Sequence, residues 1–135
     1  MKYNVKIDLR GNKYYYANNV LHREDGPAIE FTNGDKIWYK NGKYHRDDGP
    51  AIEYYDGVKM WYQNNILHRE DGPAIESINK TKHWYKNGSR HREDGPAIER
   101  PNGRKEWYLN NKCYGYNNDF TNNSWEKFVK TLIFS

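Results

Sequence analysis

Short runs rich in aromatic and β-branched residues alternate along most of the chain with pairs of turn residues. One set of turns reads NG at 41 and 87 and NN at 64 and 110, and a second reads NG at 33 and 102, DG at 56 and NK at 79. Asn-Gly and Asp-Gly between such runs are typical of β-hairpins, because a two-residue type I′ turn needs positive φ at both positions. We therefore predict an all-β, single-layer meander of antiparallel hairpins from about residue 3 to 116.

The pattern repeats every 23 residues, and the stretch HREDGPAIE or HRDDGPAIE returns at 22, 45, 68 and 91. Two turns in each repeat imply two strands in each repeat. At about 4.8 Å per strand, about ten strands would form an elongated, curved ribbon on the order of 50 Å long, in which each repeat touches its neighbours. The residues that mark the period are His22, His45, His68, His91, Trp38, Trp61, Trp84 and Trp107.

The turns also predict which residues oppose each other. If the turns at 33–34 and 41–42 are both two-residue loops, opposed residues share a face of the sheet. One face then carries the recurring Ile, Trp and His, and the other carries Ala, Tyr and Glu. The predicted opposing pairs are Ile29 with Trp38 and Ala28 with Tyr39 across the first turn, and Trp38 with His45 and Tyr39 with Tyr44 across the second.

The REDG or RDDG step after each histidine interrupts the strand alternation. An Asp before Gly can accept hydrogen bonds from backbone amides in a tight turn, and Gly supplies positive φ. The following Pro fixes the restart of the strand but lacks a ladder donor. We expect a bulge or bend here that curves the ribbon.

The N-terminal end departs from the repeat, as the ends of repeat proteins do. VKIDL at 5–9 alternates as a capping strand, and Tyr15 and Tyr16 replace the Trp-Tyr pair. We predict a repeat domain of about four units over 1–116, followed by a linker and an amphipathic helix over 117–135.

At the C-terminal end the apolar period changes. From Trp125 onward, apolar residues fall at i, i+3, i+4, i+7 and i+8, which predicts a helix from about 124 to 133. Asn123 followed by Glu126 fits a capping box at its start. The helix either covers the open last strand, which would otherwise invite edge pairing, or docks onto a partner.

Composition and charge narrow the class of protein. The 135 residues are 36% hydrophobic and 16% aromatic, which suits one domain built on aromatic packing. Basic and acidic residues are mixed along the chain, whereas nucleic-acid-binding proteins segregate a basic stripe, so we expect no nucleic-acid partner. Cys113 is the only cysteine, which favours a reducing compartment. The N-terminal stretch lacks the apolar core of a signal peptide, and no run approaches the roughly 18 apolar residues of a membrane span, so we expect a cytoplasmic protein.

The turn written YKNG or YQNN, the His after it and the 23-residue spacing resemble the MORN repeat, a β-hairpin unit that stacks into curved sheets. A closer resemblance is to the MORN-like variant W-Y-x-N-G-x-x-H-R-x-D-G-P-A of bacteriophage and giant-virus proteins. Ordinary MORN units carry Gly after the His, where this chain carries Arg. The resemblance implies a non-catalytic scaffold or protein-binding module, and the viral variant implies a small protein acting on a host target, in the host cytoplasm. It covers roughly 10–112, at 38–51, 61–74, 84–97 and in part 15–28.

The recurring His, Arg and acids favour structure over catalysis. Equivalent histidines should lie two strands apart, near 9.6 Å, whereas zinc holds its ligands within about 4 Å of each other, so we expect no metal. Acid–base catalysis needs two groups in different environments, which near-identical copies do not provide. The chain has no nucleophile elbow, Walker loop or dinucleotide fingerprint. We expect no enzyme activity and no cofactor, a His that bonds backbone through one ring nitrogen, and Glu residues paired with Arg.

Specificity should lie where the repeats differ, because whatever recurs is what stacking requires. Two columns of positions that vary between repeats flank the recurring tyrosines, and they change from apolar residues in early repeats to polar residues in later ones. The alternative is that these aromatic residues are exposed only because a thin sheet cannot bury them. A third column is expected on the Trp face. The tyrosines are Tyr39, Tyr62, Tyr85 and Tyr108; the first column is Tyr44, Leu67, Arg90 and Cys113, the second Ile37, Met60, His83 and Glu106, and the third Phe31, Tyr54, Ser77 and Arg100.

The sequence predicts non-covalent binding of another protein by a monomer or homodimer, with an inhibitor or adaptor of a host defence protein as the concrete hypothesis. The predicted partner-binding residues are Tyr39, Tyr44, Met60, Tyr62, Leu67, His83, Tyr85 and Arg90. One alternative is a protein that sequesters a small molecule or nucleotide by stacking and phosphate contacts, and another is a structural or glycan-binding virion module. The alternative ligand groove would comprise Trp38, His45, Arg46, Trp61, His68, Arg69, Trp84 and His91.

Overall fold

The computed structural model describes residues 2–133. The chain divides into two compact units, Met1–Leu67 and His68–Ser135, and each is described by itself. The division into a repeat domain over 1–116 and a tail over 117–135 stays a prediction, and Met1, Phe134 and Ser135 at its ends lie outside the described residues.

The first unit is a meander of antiparallel strands. Its strands are β1 (Asn4–Ile7), β2 (Lys13–Ala17), β3 (Val20–Leu21), β4 (Ile29–Glu30), β5 (Lys36–Ile37), β6 (Tyr39–Lys40), β7 (Lys43–Tyr44), β8 (Ile52–Glu53), β9 (Lys59–Met60), β10 (Tyr62–Gln63) and β11 (Ile66–Leu67). Strands pair in the order β1-β2-β4-β5-β8-β9. β3 pairs with β2, while β6–β7 and β10–β11 form separate two-stranded hairpins. Each of these repeats therefore supplies four short strands, two in the meander and two in a separate hairpin, so the predicted count of two strands per repeat is wrong.

The second unit continues the same pattern and ends in a helix. Its elements are β12 (Ile75–Glu76), β13 (Lys82–His83), β14 (Tyr85–Lys86), β15 (Ser89–Arg90), β16 (Ile98–Glu99), β17 (Lys105–Leu109), β18 (Lys112–Tyr116), a 3-10 turn at Asn117–Asp119 and α1 (Asn122–Ile133). Strands pair in the order β12-β13-β16-β17-β18, and β14–β15 is a separate hairpin. The predicted all-β meander with a C-terminal helix is confirmed.

The turns after the Trp-Tyr pairs are two-residue loops, as predicted. Asn41 and Gly42 have φ of 51° and 77°, and Tyr39 lies opposite Tyr44. Asn-Asn serves the same purpose at 64–65, with φ of 48° and 68°, because Asn tolerates the left-handed region better than most residues.

The turns after the AIE strands differ from the prediction. At 33–34 the left-handed residue is Gly34, with φ of 101°, and the Phe31 N–H donates to the Asp35 carbonyl at 3.0 Å. This closes a three-residue loop in which one left-handed residue follows a turn. Ile29 then lies opposite Ile37, so the predicted register is wrong by one residue. A slip of one residue exchanges the faces of a strand. The same closing bond occurs across 54–58, 77–81 and 100–104.

The helix begins two residues before its predicted start, and other residues cap it. The Thr121 hydroxyl oxygen accepts the Ser124 N–H at 3.0 Å, and the Ser124 hydroxyl oxygen accepts the Thr121 N–H at 2.9 Å. This is the reciprocal arrangement of a capping box. The predicted box of Asn123 and Glu126 is wrong, because the helix begins at Asn122 and Asn123 therefore lies inside it.

The helix covers the last hairpin, β17–β18. Trp125 is fully buried, with its ring 5.4 Å from that of Trp107 and 6.0 Å from that of Tyr114. Its indole N–H donates to the Arg92 carbonyl at 2.8 Å, so the buried nitrogen is satisfied. Val129 is the other buried helix residue in this cluster. The cluster protects the terminal hairpin, as the first of the two predicted roles of the helix requires.

Candidate functional site

Each HRxDGP step is organised around its arginine. The Arg46 guanidinium carbon lies 3.9 Å from the centre of the Trp38 ring. Its Nε donates to Asp48 at 3.1 Å, and its Nη1 donates to the Pro50 carbonyl and to Glu53, both at 3.1 Å. The predicted pairing of Arg with Glu is confirmed, while the stack on the ring was not predicted. Equivalent stacks at 3.9 Å join Arg23 to Tyr15 and Arg92 to Trp84.

The glycine in this step is required because the arginine side chain leaves no room for a Cβ, and not because the backbone needs a positive φ. A Cβ on Gly49 would lie 2.8 Å from the Arg46 guanidinium carbon, and Gly49 is outside the left-handed region. The expected positive φ is therefore wrong at this position. The arginine lies directly over the glycine, which leaves no space for a side chain. The corresponding distances at Gly26, Gly72 and Gly95 are 2.9, 2.8 and 2.6 Å.

The recurring histidines tie successive repeats together. His45 Nδ1 accepts the Asn64 N–H at 3.2 Å, and its Nε2 lies 2.8 Å from Asp47. The predicted bond from one ring nitrogen to backbone is confirmed. Within residues 2–133, no group of three or more His, Cys, Asp or Glu side chains could hold a metal ion. Equivalent Nδ1 bonds join His22 to Asn41, His68 to Asn87 and His91 to Asn110, at 2.9, 2.9 and 3.1 Å.

Each unit contains one groove of the type predicted for the alternative ligand. The first, of about 630 Å³, brings together Trp38, His45 and Arg46. The second, of about 570 Å³, brings together Trp84, His91 and Arg69. Four acidic and three basic side chains line each groove, and the arginines are already engaged with acids, so the charge does not favour a phosphate. Of the remaining predicted groove residues, Trp61 lies between β9 and β10 in the first unit and His68 precedes β12 in the second.

In the first unit the predicted partner-binding tyrosines form a row. The Tyr44 ring lies 4.9 Å from Tyr39 and 5.1 Å from Tyr62, and all three are half-buried. Leu67 lies opposite Tyr62, and Met60 lies on the neighbouring strand β9. Burial and a hydrogen bond with Tyr44 raise the pKa of Tyr39, which keeps the Tyr39 hydroxyl protonated at neutral pH.

In the second unit the corresponding positions form a polar network. Arg90 Nε donates to the Tyr85 hydroxyl at 3.2 Å, and its guanidinium lies 5.6 Å from the Tyr108 ring centre. The Tyr108 hydroxyl donates to Glu106 at 3.1 Å. Burial and the positive charge of Arg90 lower the pKa of His83, which favours its neutral form.

The third variable column lies on the same face as the other two, whereas the sequence predicted it on the face that carries Trp. Arg100 donates to Glu106, a second-column residue. Burial opposes ionisation of Glu106, yet hydrogen bonds from Arg100 and Tyr108 hold its pKa below the ordinary value. The cause is the one-residue change of register at the turn after each AIE strand. An Asn-Gly pair is compatible with both two-residue and three-residue loops, so the sequence does not reveal this change. In each unit, we call the face that carries its tyrosines and its members of the three columns the variable face of that unit.

These features define a β-hairpin repeat protein whose recurring residues bond to one another and whose differing residues share a face within each unit. Neither a scan against protein-family models nor a search of curated proteins gives a match. The helices of the described part of the chain are too short or too polar to cross a bilayer.

Proposed function

We propose that the protein is a non-catalytic, MORN-like protein-binding module that binds its partner through the variable face. The recurring arginine, histidine and acids are engaged in contacts within and between repeats. Those groups maintain the fold, which leaves recognition to the residues that differ. Within each unit the columns that differ meet on one face, where a partner can contact several of their residues at once.

The observation that carries the proposal is the row of Tyr39, Tyr44 and Tyr62. Three half-buried rings in mutual contact offer rigid aromatic area at low entropic cost, and Tyr and Met are enriched in interface cores. In the second unit, the network around Arg90 offers donors already held in place, so ordering them on binding costs little.

The partner class follows from the resemblance to viral repeat variants. We propose a cytoplasmic host protein, with a defence factor as the first candidate and inhibition or adaptor activity as the outcome. The nucleotide-sequestering alternative is weaker, because acids outnumber bases in both grooves. The glycan-binding alternative is weaker too, because the Arg46 guanidinium already occupies one of the two Trp38 ring faces on which a sugar could stack.

The experiment is affinity capture from lysate of the native or host cell with the whole protein and the double variant Met60→Ala, Tyr62→Ala. Mass spectrometry identifies the captured protein, and its affinity is then measured with purified components. Truncation of two central contacts should weaken binding by at least about 30-fold. Circular dichroism and thermal unfolding check that the variant is folded.

The matched control is Tyr55→Ala, because Tyr55 is 72% exposed and lies in the loop between β8 and β9. This control should bind like the unmodified protein. A partner whose affinity is unchanged in the double variant would overturn the assignment to the variable face. A stoichiometric small molecule in place of a protein would overturn the proposed function.

A further inference from the structure

The N-terminal segment places a tyrosine on the first repeat. The Tyr3 hydroxyl oxygen accepts the Glu24 N–H at 2.9 Å. The Tyr3 ring meets the Tyr15 ring edge-on, with centres 6.0 Å apart and planes at 87°. The Tyr15 ring also receives the Arg23 guanidinium at 3.9 Å, so one ring contacts both groups.

The two residues that contact Tyr3 have counterparts in each groove. Tyr15 and Glu24 correspond by the 23-residue period to Trp38 and Asp47, which line the first groove. The next counterparts to line a groove are Trp84 and Glu93, in the second unit. Each groove therefore contains an aromatic ring and a backbone amide equivalent to the two groups that Tyr3 contacts.

The amides in the grooves differ from that of Glu24 in one respect. Within the described part of the chain, the N–H groups of Asp47 and Glu93 have no protein acceptor. Both grooves are also of the size that holds organic ligands, roughly 300–1,000 Å³. A tyrosine hydroxyl oxygen in the position that the Tyr3 hydroxyl occupies in the first repeat would accept hydrogen bonds from these amides.

The net charge of each groove predicts which residues should flank a bound tyrosine. Each groove carries one more acidic than basic side chain, and two of its three basic residues are arginines paired with acids, as Arg46 is with Asp48. Tyr3 itself lies between Lys2 and Lys6. A basic segment is attracted to the grooves, whereas an acidic or phosphorylated one is repelled.

We propose that each groove binds a tyrosine side chain carried by a basic peptide segment, in the way that the first repeat binds Tyr3. The ring packs against Trp38 or Trp84, and the hydroxyl oxygen accepts the amide of Asp47 or Glu93. This site is separate from the variable face and does not depend on the proposed function, so the two can fail independently.

The probe is the blocked tripeptide acetyl-Lys-Tyr-Lys-amide, titrated into the full chain by calorimetry and by NMR of the indole N–H groups. We expect two sites, with shifts at Trp38 and Trp84. Acetyl-Lys-Phe-Lys-amide should bind about three- to tenfold more weakly, which corresponds to one lost hydrogen bond. Acetyl-Lys-Ala-Lys-amide should not bind, and tyrosine phosphorylation should abolish binding.

Substitutions that fill one groove at a time test where the peptide binds. Lys40 and Lys86 line the two grooves, so Lys40→Trp should remove the first site and Lys86→Trp the second. Lys43→Trp is the matched control, because Lys43 is exposed on the same hairpin and does not line the groove. Two sites in all three variants, equal affinity for the Tyr and Ala peptides, or no binding at all would each overturn the proposal.

Discussion

The guanidinium of Arg46 lies between two residues of its own repeat, 3.9 Å from the centre of the Trp38 ring and over the α-carbon of Gly49. This relationship gives a physical reason for the recurring HRxDGP stretch. The arginine covers the ring and pairs with Asp48 and Glu53, and the glycine is the residue that leaves space for it. The motif is therefore a structural unit in which the arginine is paired with acids of its own repeat.

Gly49→Ala tests this unit directly. A methyl group 2.8 Å from the guanidinium carbon should displace Arg46 from Trp38 and lower the free energy of unfolding by about 1–3 kcal/mol. Urea denaturation measures the change. In an Arg46→Ala background, the same substitution should be close to neutral, because the group it collides with is gone. Equal effects in the two backgrounds would show that Gly49 is needed for its backbone conformation instead.

His91 should make stability depend on pH. Burial lowers its pKa, an effect that Glu93 opposes and Lys86 supports. The folded protein then binds fewer protons than the unfolded chain, whose histidine titrates near pH 6.5. This contribution is complete above about pH 6.5 and is lost as the pH falls through the folded pKa.

The measurement is urea denaturation between pH 7.5 and 5, with His91→Asn for comparison. Protonation of Nδ1 would also remove the acceptor for the Asn110 N–H. The Asn side chain retains an acceptor but does not titrate, so the variant should lose less stability on acidification. An identical pH dependence in the two proteins would assign the titration to other groups.

Thr121→Ala should destabilise the helix by about 0.5–2 kcal/mol, because it removes the acceptor for the Ser124 N–H. Thermal unfolding monitored by circular dichroism measures the loss. Asn123→Ala provides the comparison. Asn123 lies inside the helix, so its replacement by the best helix former should be neutral or stabilising. A larger loss with Asn123→Ala would place the cap where the sequence pattern predicted it.

Trp125→Ala should destabilise the second unit by about 3–5 kcal/mol, because it leaves a cavity against Trp107 and an unpaired Arg92 carbonyl. Chemical denaturation of the full chain measures the effect. Lys127→Ala, an exposed change on the same helix, should stay within about 0.5 kcal/mol. Similar small effects for both variants would mean that the helix contributes little to the fold.

Much of the fold could be predicted from local signals. The Asn-Gly and Asn-Asn turns at 41–42 and 64–65 determine their hairpins, because few residues adopt positive φ at two successive positions. The apolar period from Trp125 onward predicted the helix within two residues of its observed start. The pairing of Arg with Glu and the His bond to backbone could be expected from repetition, because the same residue at the same place in each unit can make the same contact.

The sequence by itself thus determined the number of turns in each repeat, the class of fold and the residues that recur. The tertiary structure alone decided the faces, because the turn at 33–34 suits loops of two or three residues and one residue of difference exchanges the sides of a strand. It also decided the role of Gly49 and the position of Tyr3. Both depend on side chains that meet through space, and the order of residues along the chain does not encode such contacts locally.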